Sequence, residues 1–349
     1  MKSEQKVYLV SVIVPCRNEK KYIPNFLESL LKQKLNNIKL EILIADGMSN
    51  DGTRDLLLQI SNKYPNFKII DNLQGIVSTG LNEAIRQASG DIIIRMDVHT
   101  EYAEDYIQKC VKTLIDTGAD NVGGAWTAKG KNYLQNAIAL AFQSPFSSGG
   151  AGSHDINKDG CVDSVYLGCW WKRTLLEVGL FDEELVRNQD DELNLRLTRA
   201  GKKVWQSSSI KSTYYPRSSI KSLFQQYAQY GYWKVRVIQK HRVPASIRHL
   251  VPGIFIGAIL ITGIGSIINV WMLYYFLMIL GIYICTILII SLITCWKNSQ
   301  MNYLKVLPFI FSAFHLGYGY GFLRGFVNFI VLKRQGEMSF VKLTRRHTS

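Results

Sequence analysis

Short runs of apolar residues alternate with mixed apolar and polar segments along the first part of the chain. The runs predict strands at residues 7–14, 40–45 and 67–71, and the segments between them predict helices at residues 23–33 and up to residue 63. Runs rich in Val, Ile and Leu are typical of strands that are buried on both faces of a parallel sheet. Strands that alternate with helices predict a doubly wound α/β domain.

The next predicted strand, within residues 90–99, ends in polar side chains. Four of the five positions from Ile92 to Met96 are apolar, which predicts a buried strand. Open α/β sheets bind ligands at the carboxyl ends of their strands. Asp97 and His99 would lie on the same side of an extended backbone, so both could reach one divalent cation, and that cation could hold a diphosphate. Alternatively, Asp97 caps the following helix and His99 is a surface residue.

The middle of the chain contains a loop and an acidic cluster. A strand at residues 121–126 and a helix at residues 133–143 precede a Gly- and Ser-rich loop at residues 144–153. A loop of this length in a compact domain is either a lid or a plain connection. Further on, three acids at residues 190–192 open a helix that ends near Gly201. By themselves, such acids complement the helix dipole.

Apolar residues make up 47% of the chain and are concentrated near the C-terminus. Since a spanning helix needs about 20 apolar residues, we predict two membrane spans at about residues 250–268 and 271–296. A third apolar segment, residues 304–332, is interrupted by His315, a Gly-rich patch and Arg324. The sequence therefore predicts a C-terminal membrane domain.

Residues 216–249 combine aromatic and basic side chains. They predict an amphipathic helix that lies at a membrane surface. The alternative is a buried core helix with aromatic packing, because the polar residues of this segment do not gather on one helix face.

Basic residues dominate the C-terminal part of the chain. From residue 234 onward, thirteen Lys and Arg stand against one acid, Glu337, so this part carries +12 of the formal charge of +14. Basic residues that flank apolar runs suit anionic lipid head groups at the cytoplasmic face, so we expect membrane lipids as partners and no nucleic acid. A third full crossing would carry a basic tail with Lys342, Arg345 and Arg346 outside. We therefore expect residues 304–332 to lie at the interface or to re-enter, with the Gly-rich patch against the first domain.

The cysteines indicate neither a zinc site nor a disulfide framework. All six are scattered, and no Cys-x-x-Cys pair occurs. The N-terminal apolar run is typical of a strand and not of a signal peptide. We expect free thiols and a first domain that stays in the cytoplasm.

Four motifs of the first half occur together in one known family: residues 11–19 (SVIVPCRNE), the Asp46-Gly47 turn, Gly80-Leu81-Asn82 and Gly90-Asp91. They resemble the motifs of family 2 glycosyltransferases, whose GT-A fold is a doubly wound, nucleotide-sugar-binding mixed sheet. More narrowly, the chain is similar to membrane-associated transferases of succinoglycan-type bacterial exopolysaccharide biosynthesis. The resemblance implies a nucleotide-sugar site, with Asp46 on the uracil ring. Its residues would be Pro15, Arg17, Glu19, Asp46, Arg95 and Asp97.

The resemblance also implies a metal site and a catalytic base. The family's Asp-x-Asp metal motif falls on Asp97 and His99, and imidazole is a softer ligand that suits Mn²⁺ better than Mg²⁺ but leaves either cation open. The family places its base in a Glu-Asp pair, which falls on Gln189 and Asp190. Asp190 is therefore the expected base, and Asp191 is the adjacent alternative.

The acceptor side of the site is expected in two aromatic segments. Gln229 and Trp233 keep part of the Gln-x-x-Arg-Trp motif of processive family members, but the Arg is absent. The residues expected near the acceptor are Gly168, Trp170, Gln226, Tyr230 and Trp233.

These expectations combine into a function and a domain plan. Residues 1–215 form a cytoplasmic catalytic domain, residues 216–249 form interfacial acceptor-side helices, and residues 250–349 form the membrane domain with its basic tail. The expected activity is inverting transfer of a sugar from a UDP-sugar to a polyprenyl-diphosphate-linked saccharide at the cytoplasmic membrane. The alternatives are a processive polysaccharide synthase and an inactive membrane scaffold.

Overall fold

The protein is described by a computed structural model that covers residues 7–149 and 155–341. The chain divides into two compact units: residues 1–127 with 152–214, and residues 128–151 with 215–349. The basic tail beyond residue 341 and part of the expected loop at residues 144–153 lie outside the described residues.

The first unit is built on a mixed sheet whose strands follow the predicted apolar runs. An eight-stranded sheet has the order β3-β2-β1-β4-β9-β6-β10-β8, and a three-stranded sheet has the order β5-β11-β7. The strands are β1 Tyr8–Cys16, β2 Ile38–Asp46, β3 Phe67–Asp71, β4 Ile92–Arg95, β5 Thr100–Tyr102, β6 Asn121–Gly124, β7 Trp126–Ala128, β8 Gly160–Cys161, β9 Tyr166–Trp171, β10 Val204–Gln206 and β11 Ser212–Tyr214.

Strands β1 to β4 pair in parallel, and β9 runs antiparallel between β4 and β6. Alternate residues of a strand point to opposite faces, so Val12 joins one hydrophobic core cluster and Ile13 joins another on the other face. Helices cover both faces, which confirms the doubly wound α/β prediction. The helices of the first unit are α1 Ile23–Leu31, α2 Thr53–Lys63, α3 Val77–Gln87, α4 Tyr106–Thr117, α7 Lys172–Val178 and α8 Gln189–Arg199.

The second unit is helical. It contains α5 Tyr133–Phe142, α6 Pro145–Ser148, α9 Ile220–His241, α10 Val251–Gly265, α11 Val270–Lys297 and α12 Leu307–Gly325, after which a π-helical turn covers Phe326–Val331. Helices α5 and α6 belong here because their aromatic rings pack on α12: the ring centroids of Phe142 and Phe314 lie 5.2 Å apart, and those of Phe146 and Phe311 lie 5.6 Å apart. The predicted domain plan did not anticipate this, because it kept residues 128–151 in the catalytic domain. Residues 145–148 also form a helical turn where a continuous loop was expected.

Glycines allow α12 to pack on the backbone of α9. A Cβ atom on Gly317 would lie 2.8 Å from the carbonyl oxygen of Phe224, and one on Gly325 would lie 2.6 Å from that of Tyr232. Side chains that are this small let two helix backbones approach closely. The Gly-rich patch was expected to face the first domain, and the structure corrects this: its glycines face α9 and α10 within the second unit.

Helix α9 is packed along much of its length, with Leu223, Tyr232 and Trp233 among its buried residues. The buried core helix, which was the alternative interpretation, therefore describes this element. Its position at a membrane surface stays a prediction.

Two helical stretches of the described residues are long and apolar enough to cross a membrane, Ile247–Gly265 and Val270–Lys297. Only 6% and 11% of their most apolar windows are buried inside the protein, so the described residues leave most of these side chains unburied. Both agree with the predicted spans at residues 250–268 and 271–296.

Polar side chains in and after α12 have partners. Arg324 forms an ion pair with Glu337 at 2.8 Å. A ring nitrogen of His315, Nε2, lies 3.0 Å from the carbonyl oxygen of Phe146, and the other, Nδ1, lies 3.3 Å from the hydroxyl of Tyr283. These bonds offset the cost of placing a cation and an imidazole in an apolar segment.

Candidate active site

The carboxyl ends of four parallel strands meet at one edge of the large sheet. Cys16 pairs in register with Asp46, Asp46 pairs with Asp71, and Arg95 pairs with Ile13 near the end of β1. This edge is where open α/β sheets bind ligands. The motifs that the sequence placed at strand ends therefore share one side of the sheet.

A buried guanidinium joins two carboxylates at this edge. Arg95 donates from Nε to Asp97 Oδ1 at 3.0 Å and from Nη2 to Asp97 Oδ2 at 3.3 Å. It also donates from Nη1 to Asp190 Oδ1 at 2.5 Å, across 95 positions of sequence. Burial lowers the pKa of Arg95, but the charges of Asp190 and Asp97 outweigh it and raise that pKa above its ordinary value. The cluster thus brings the expected base to the expected metal ligand.

Asp190 and Asp191 are adjacent in α8 but face different partners. Whereas Asp190 meets Arg95, the carboxylate of Asp191 accepts a hydrogen bond from the Ser164 hydroxyl at 3.4 Å. Desolvation raises the pKa of Asp190, and the charges of Asp97 and Asp191 raise it further, against the opposing effect of Arg95. A carboxyl with a raised pKa is a stronger proton acceptor once ionised, which suits a general base.

Two tyrosines that the sequence did not single out lie near Asp97: Tyr102 bonds to its backbone, and Tyr166 bonds to Thr100. The hydroxyl of Tyr102 accepts from the Asp97 backbone N–H at 2.6 Å and donates to the Asp97 carbonyl at 3.2 Å. The hydroxyl of Tyr166 lies 3.0 Å from Thr100 Oγ1. Tyr102 follows Asp97 by five positions along the chain, whereas the pairing of β4 with β9 brings Tyr166 here.

The alternative interpretations of Asp97 and His99 are wrong. Asp97 caps no helix, since β5 follows it and its carboxylate accepts from Arg95. The His99 side chain is only 22% exposed, and its Nδ1 lies 3.8 Å from Glu19 Oε1. Both side chains belong to the strand-end cluster.

Asp46 lies in a polar network at the end of β2. It is 1% exposed and accepts from the Ser49 hydroxyl at 2.6 Å and from Arg54 Nη1 at 3.3 Å. Arg54 also bonds Asp71 at 2.5 Å. The sequence did not single out Arg54, because a lone basic residue in a helix carries no signal by itself. It fixes the Asp46 carboxylate at the sheet edge.

The other residues expected near the nucleotide come from the end of β1 and the loop after it. Arg17 is exposed and donates to the Gly75 carbonyl at 3.0 Å, while the Glu19 N–H donates to Thr53 Oγ1 at 2.9 Å. Pro15, which is half-buried, pairs in register with Ala45. Gly75 has a φ of +67°, and a side chain there would run into Arg17.

No three His, Cys, Asp or Glu side chains of the described residues converge as a ready-made metal site. A hard cation at a diphosphate, however, commonly takes only one or two protein ligands and completes its shell with phosphate oxygens and water. Asp97 and His99 offer such a partial set. Glu19 lies beside His99, with Oε1 3.8 Å from Nδ1, and its Oε2 is buried without a hydrogen-bond partner among the described atoms. The donor set fits a cation that is shared with a ligand.

The residues expected near the acceptor fall in both units. Gly168 and Trp170 lie on β9, where Trp170 is 2% exposed and packs against Phe181 with ring centroids 6.0 Å apart. Gly168 has a φ of +106°, and a Cβ there would overlap the Trp170 ring. The other three lie on α9 in the second unit: Gln226, Tyr230 and Trp233.

Those three differ in their surroundings. Gln226 donates to the Tyr230 hydroxyl at 2.8 Å. Trp233 is 4% exposed, and its indole donates to the Phe340 carbonyl at 3.1 Å. An acceptor role for these residues stays a prediction.

Comparison with known proteins identifies the family. The family described as Glycosyl transferase family 2 matches residues 11–171. Succinoglycan biosynthesis protein ExoA of Rhizobium meliloti is 31% identical over 243 residues, which cover 69% of this chain and 73% of that protein. A Methanococcus voltae enzyme is 30% identical over 327 residues, which cover 91% of this chain and 97% of the relative. Its name is dolichyl N-acetyl-alpha-D-glucosaminyl phosphate 3-beta-D-2,3-diacetamido-2,3-dideoxy-beta-D-glucuronosyltransferase.

A solved structure shows the same fold. The mannosyltransferase PcManGT from Pyrobaculum calidifontis, in complex with GDP-Man and Mn²⁺, superimposes with a TM-score of 0.58 at 17% identity over 91% of this chain and 88% of its own. The identity is low enough that the likeness concerns the fold alone. The chain belongs to the family 2 glycosyltransferases and has the GT-A fold that its motifs indicated.

Proposed function

We propose that this glycosyltransferase moves a sugar from a UDP-sugar to a polyprenyl-diphosphate-linked saccharide, with inversion at the anomeric carbon, in exopolysaccharide or cell-surface glycan assembly. The observation that carries the proposal is the cluster of Asp97, Arg95 and Asp190, which sets the expected base beside the expected metal ligand. Lipid-linked and polysaccharide chemistry is supported by the names of the two relatives.

The proton transfer is assigned to Asp190. Its carboxylate accepts the proton of the acceptor hydroxyl while that oxygen bonds to the anomeric carbon and the bond from that carbon to the leaving UDP breaks. A single displacement with one carboxylate base inverts the configuration and needs no covalent enzyme intermediate. Asp191 is less suited to this role because its carboxylate faces Ser164.

The donor is assigned to the ends of β1, β2 and β4. Asp46, held by Ser49 and Arg54, binds the uracil ring, and the exposed Arg17 lies near the phosphates. Asp97 and His99, with Glu19 beside them, would hold a divalent cation, Mn²⁺ or Mg²⁺. Such a cation neutralises the charge that develops on a leaving diphosphate.

The acceptor is assigned to the membrane surface. Two exposed apolar helices, α10 and α11, anchor the chain in the lipid, and the catalytic unit then works on the cytoplasmic side, where basic residues favour anionic head groups. A lipid-linked sugar would reach the protein from that surface.

A panel of radiolabelled UDP-sugars tests the proposal. Native membranes that contain the protein should incorporate label from one of the donors into a lipid-extractable product, and the Asp190→Asn variant should not. Label in long polymer would indicate a processive synthase, and no incorporation and no UDP release with any donor would indicate an inactive scaffold.

A further inference from the structure

Arg95 is a buried cation with no step of its own in the proposed transfer reaction. The motif resemblance groups it with the donor-binding residues. In the structure, however, its side chain is only 7% exposed, and all three guanidinium nitrogens are bonded to carboxylates. Two of them face Asp97 and the third faces Asp190. Three of its five N–H donors are therefore used by carboxylates, and because the side chain is so deeply buried, little of the guanidinium is open to a donor phosphate.

The geometry points to Arg95 as a positioning residue: it fixes the base Asp190 against the strand end that carries Asp97, and it is not a ligand of the donor phosphates. This inference rests on the proposed transfer function. The planar guanidinium presents its donors in a rigid fork, so a pair of bonds to Asp97 orients the third donor toward Asp190. The fork is anchored in turn by β4, which pairs with β1 and β9.

Asp190 needs such a partner because its own surroundings do not hold it. Its side chain is 36% exposed and lies in the first turn of α8, directly after Gln189. A carboxylate that is only partly buried could adopt other rotamers without its bond to Arg95, and a displacement of about 1 Å in a reacting group can cost about 100-fold in rate. The bond to Arg95 removes that freedom.

The same arrangement bears on the cation. A positive guanidinium bonded to Asp97 opposes the binding of a second positive charge to that carboxylate. Loss of Arg95 should therefore leave the affinity for Mn²⁺ unchanged or increase it, whereas loss of a phosphate ligand should weaken donor binding.

The experiment compares Arg95→Met, Arg95→Lys and a matched control in the full-length protein. The control is Arg86→Met, because Arg86 also bonds two carboxylates, Glu83 at 2.5 Å and Glu183 at 3.1 Å, but is 48% exposed on α3. Turnover is measured with the donor that the panel identifies, UDP binding by calorimetry, and Mn²⁺ binding by electron paramagnetic resonance.

Arg95→Met should lower kcat by about 100-fold or more, the scale of a misplaced general base. UDP affinity should change by less than about threefold. This result separates loss of base positioning, which lowers kcat, from loss of a donor-binding contact, which weakens UDP binding. Arg95→Lys should recover part of kcat, since it restores the charge without the fork. The control should match the wild type.

Two results would overturn the inference. One is an Arg95→Met protein that keeps kcat but binds UDP at least about tenfold more weakly, which would make Arg95 a donor ligand. The other is an unchanged kcat together with unchanged UDP affinity. If Arg95→Met does not fold, Arg95→Lys alone decides, because a reduced kcat at normal UDP affinity is expected from it.

A separate measurement keeps this inference distinct from the proposed function. If the wild type turns over no donor, the proposed function fails, but the pairing can still be tested through a double-mutant cycle of Arg95→Met and Asp190→Asn, read by thermal denaturation. Coupled shifts are expected. Additive shifts would show that Arg95 does not hold Asp190.

Discussion

Because α12 packs on the backbone of α9, we expect replacement of Gly by Ala to affect stability differently at two glycines. A Cβ on Gly321 would overlap the carbonyl oxygen of Ala228 and lie 2.6 Å from its carbonyl carbon. That neighbour is helix backbone and cannot rotate away as a side chain can. To bring the carbonyl carbon alone to an ordinary 3.4 Å contact, the two helices must separate by about 0.8 Å, and the oxygen, which lies closer, requires a larger separation. By contrast, no described atom lies within 4 Å of a Cβ placed on Gly281 of α11.

The magnitudes follow from two competing effects. Replacing a helical Gly by Ala gains about 1 kcal/mol of helix propensity at either site. At Gly321, overpacking against backbone costs about 3 kcal/mol, the upper end of the usual range, so the net loss is about 2 kcal/mol. In a unit of this size, each kcal/mol of lost stability lowers the melting temperature by about 2–4 °C. Gly321→Ala should therefore lower the melting temperature by about 4–8 °C. Gly281→Ala should leave it unchanged or raise it by up to about 4 °C.

The assay is thermal denaturation of the detergent-solubilised full-length protein, followed by tryptophan fluorescence, with both variants measured beside the wild type. Residual transferase activity after heating provides a second reading of the same transition. Equal shifts for Gly321→Ala and Gly281→Ala, or a stabilised Gly321→Ala protein, would refute backbone contact between α9 and α12.

The charged cluster and the C-terminal segments have further measurable consequences. Asp190→Asn should lower kcat by about 100-fold or more with UDP binding retained, since the base faces the acceptor; a dead Asp191→Asn beside an active Asp190→Asn would transfer the role to Asp191. The pKa of Asp190 is raised above the ordinary carboxyl pKa of about 3.9, so Asp190 becomes protonated at a higher pH than an ordinary carboxylate as the pH falls. The acid limb of the kcat–pH profile should therefore lie above about pH 3.9. An acid limb at or below that pH would contradict the assignment of Asp190 as the base. Asp97→Ala should lower turnover by several orders of magnitude and His99→Asp should shift preference toward Mg²⁺, whereas full activity in excess EDTA would exclude a metal requirement. A single cysteine at Ser349, in a cysteine-free background, should resist an impermeant reagent on intact cells; labelling from outside would show that residues 304–332 cross the membrane.

The sequence by itself determined the main strands and helices and the edge of the sheet that carries the chemistry. Strand β3 covers Phe67–Asp71, as its apolar run predicted, and α10 and α11 fall within a few residues of the predicted spans. These features are local, because burial imposes a periodicity that each segment carries in its own residues. The position of Asp97 at a strand end follows in the same way, since a polar residue after a buried run marks where the strand leaves the core.

Only the tertiary structure decided which residues meet. Arg95 and Asp190 are 95 positions apart, and neither strand β4 nor helix α8 carries a signal for the other. The same holds for Tyr166 beside Thr100, for the glycines of α12 against α9, and for the packing of α5 and α6 with the second unit. A hydrophobic pattern states that a face is buried but not which surface covers it, because burial of apolar area is non-directional. Close packing across the whole fold fixes which strands and helices are neighbours and in which register they pair. Only one arrangement of these elements packs the backbones closely and also pairs the buried charges.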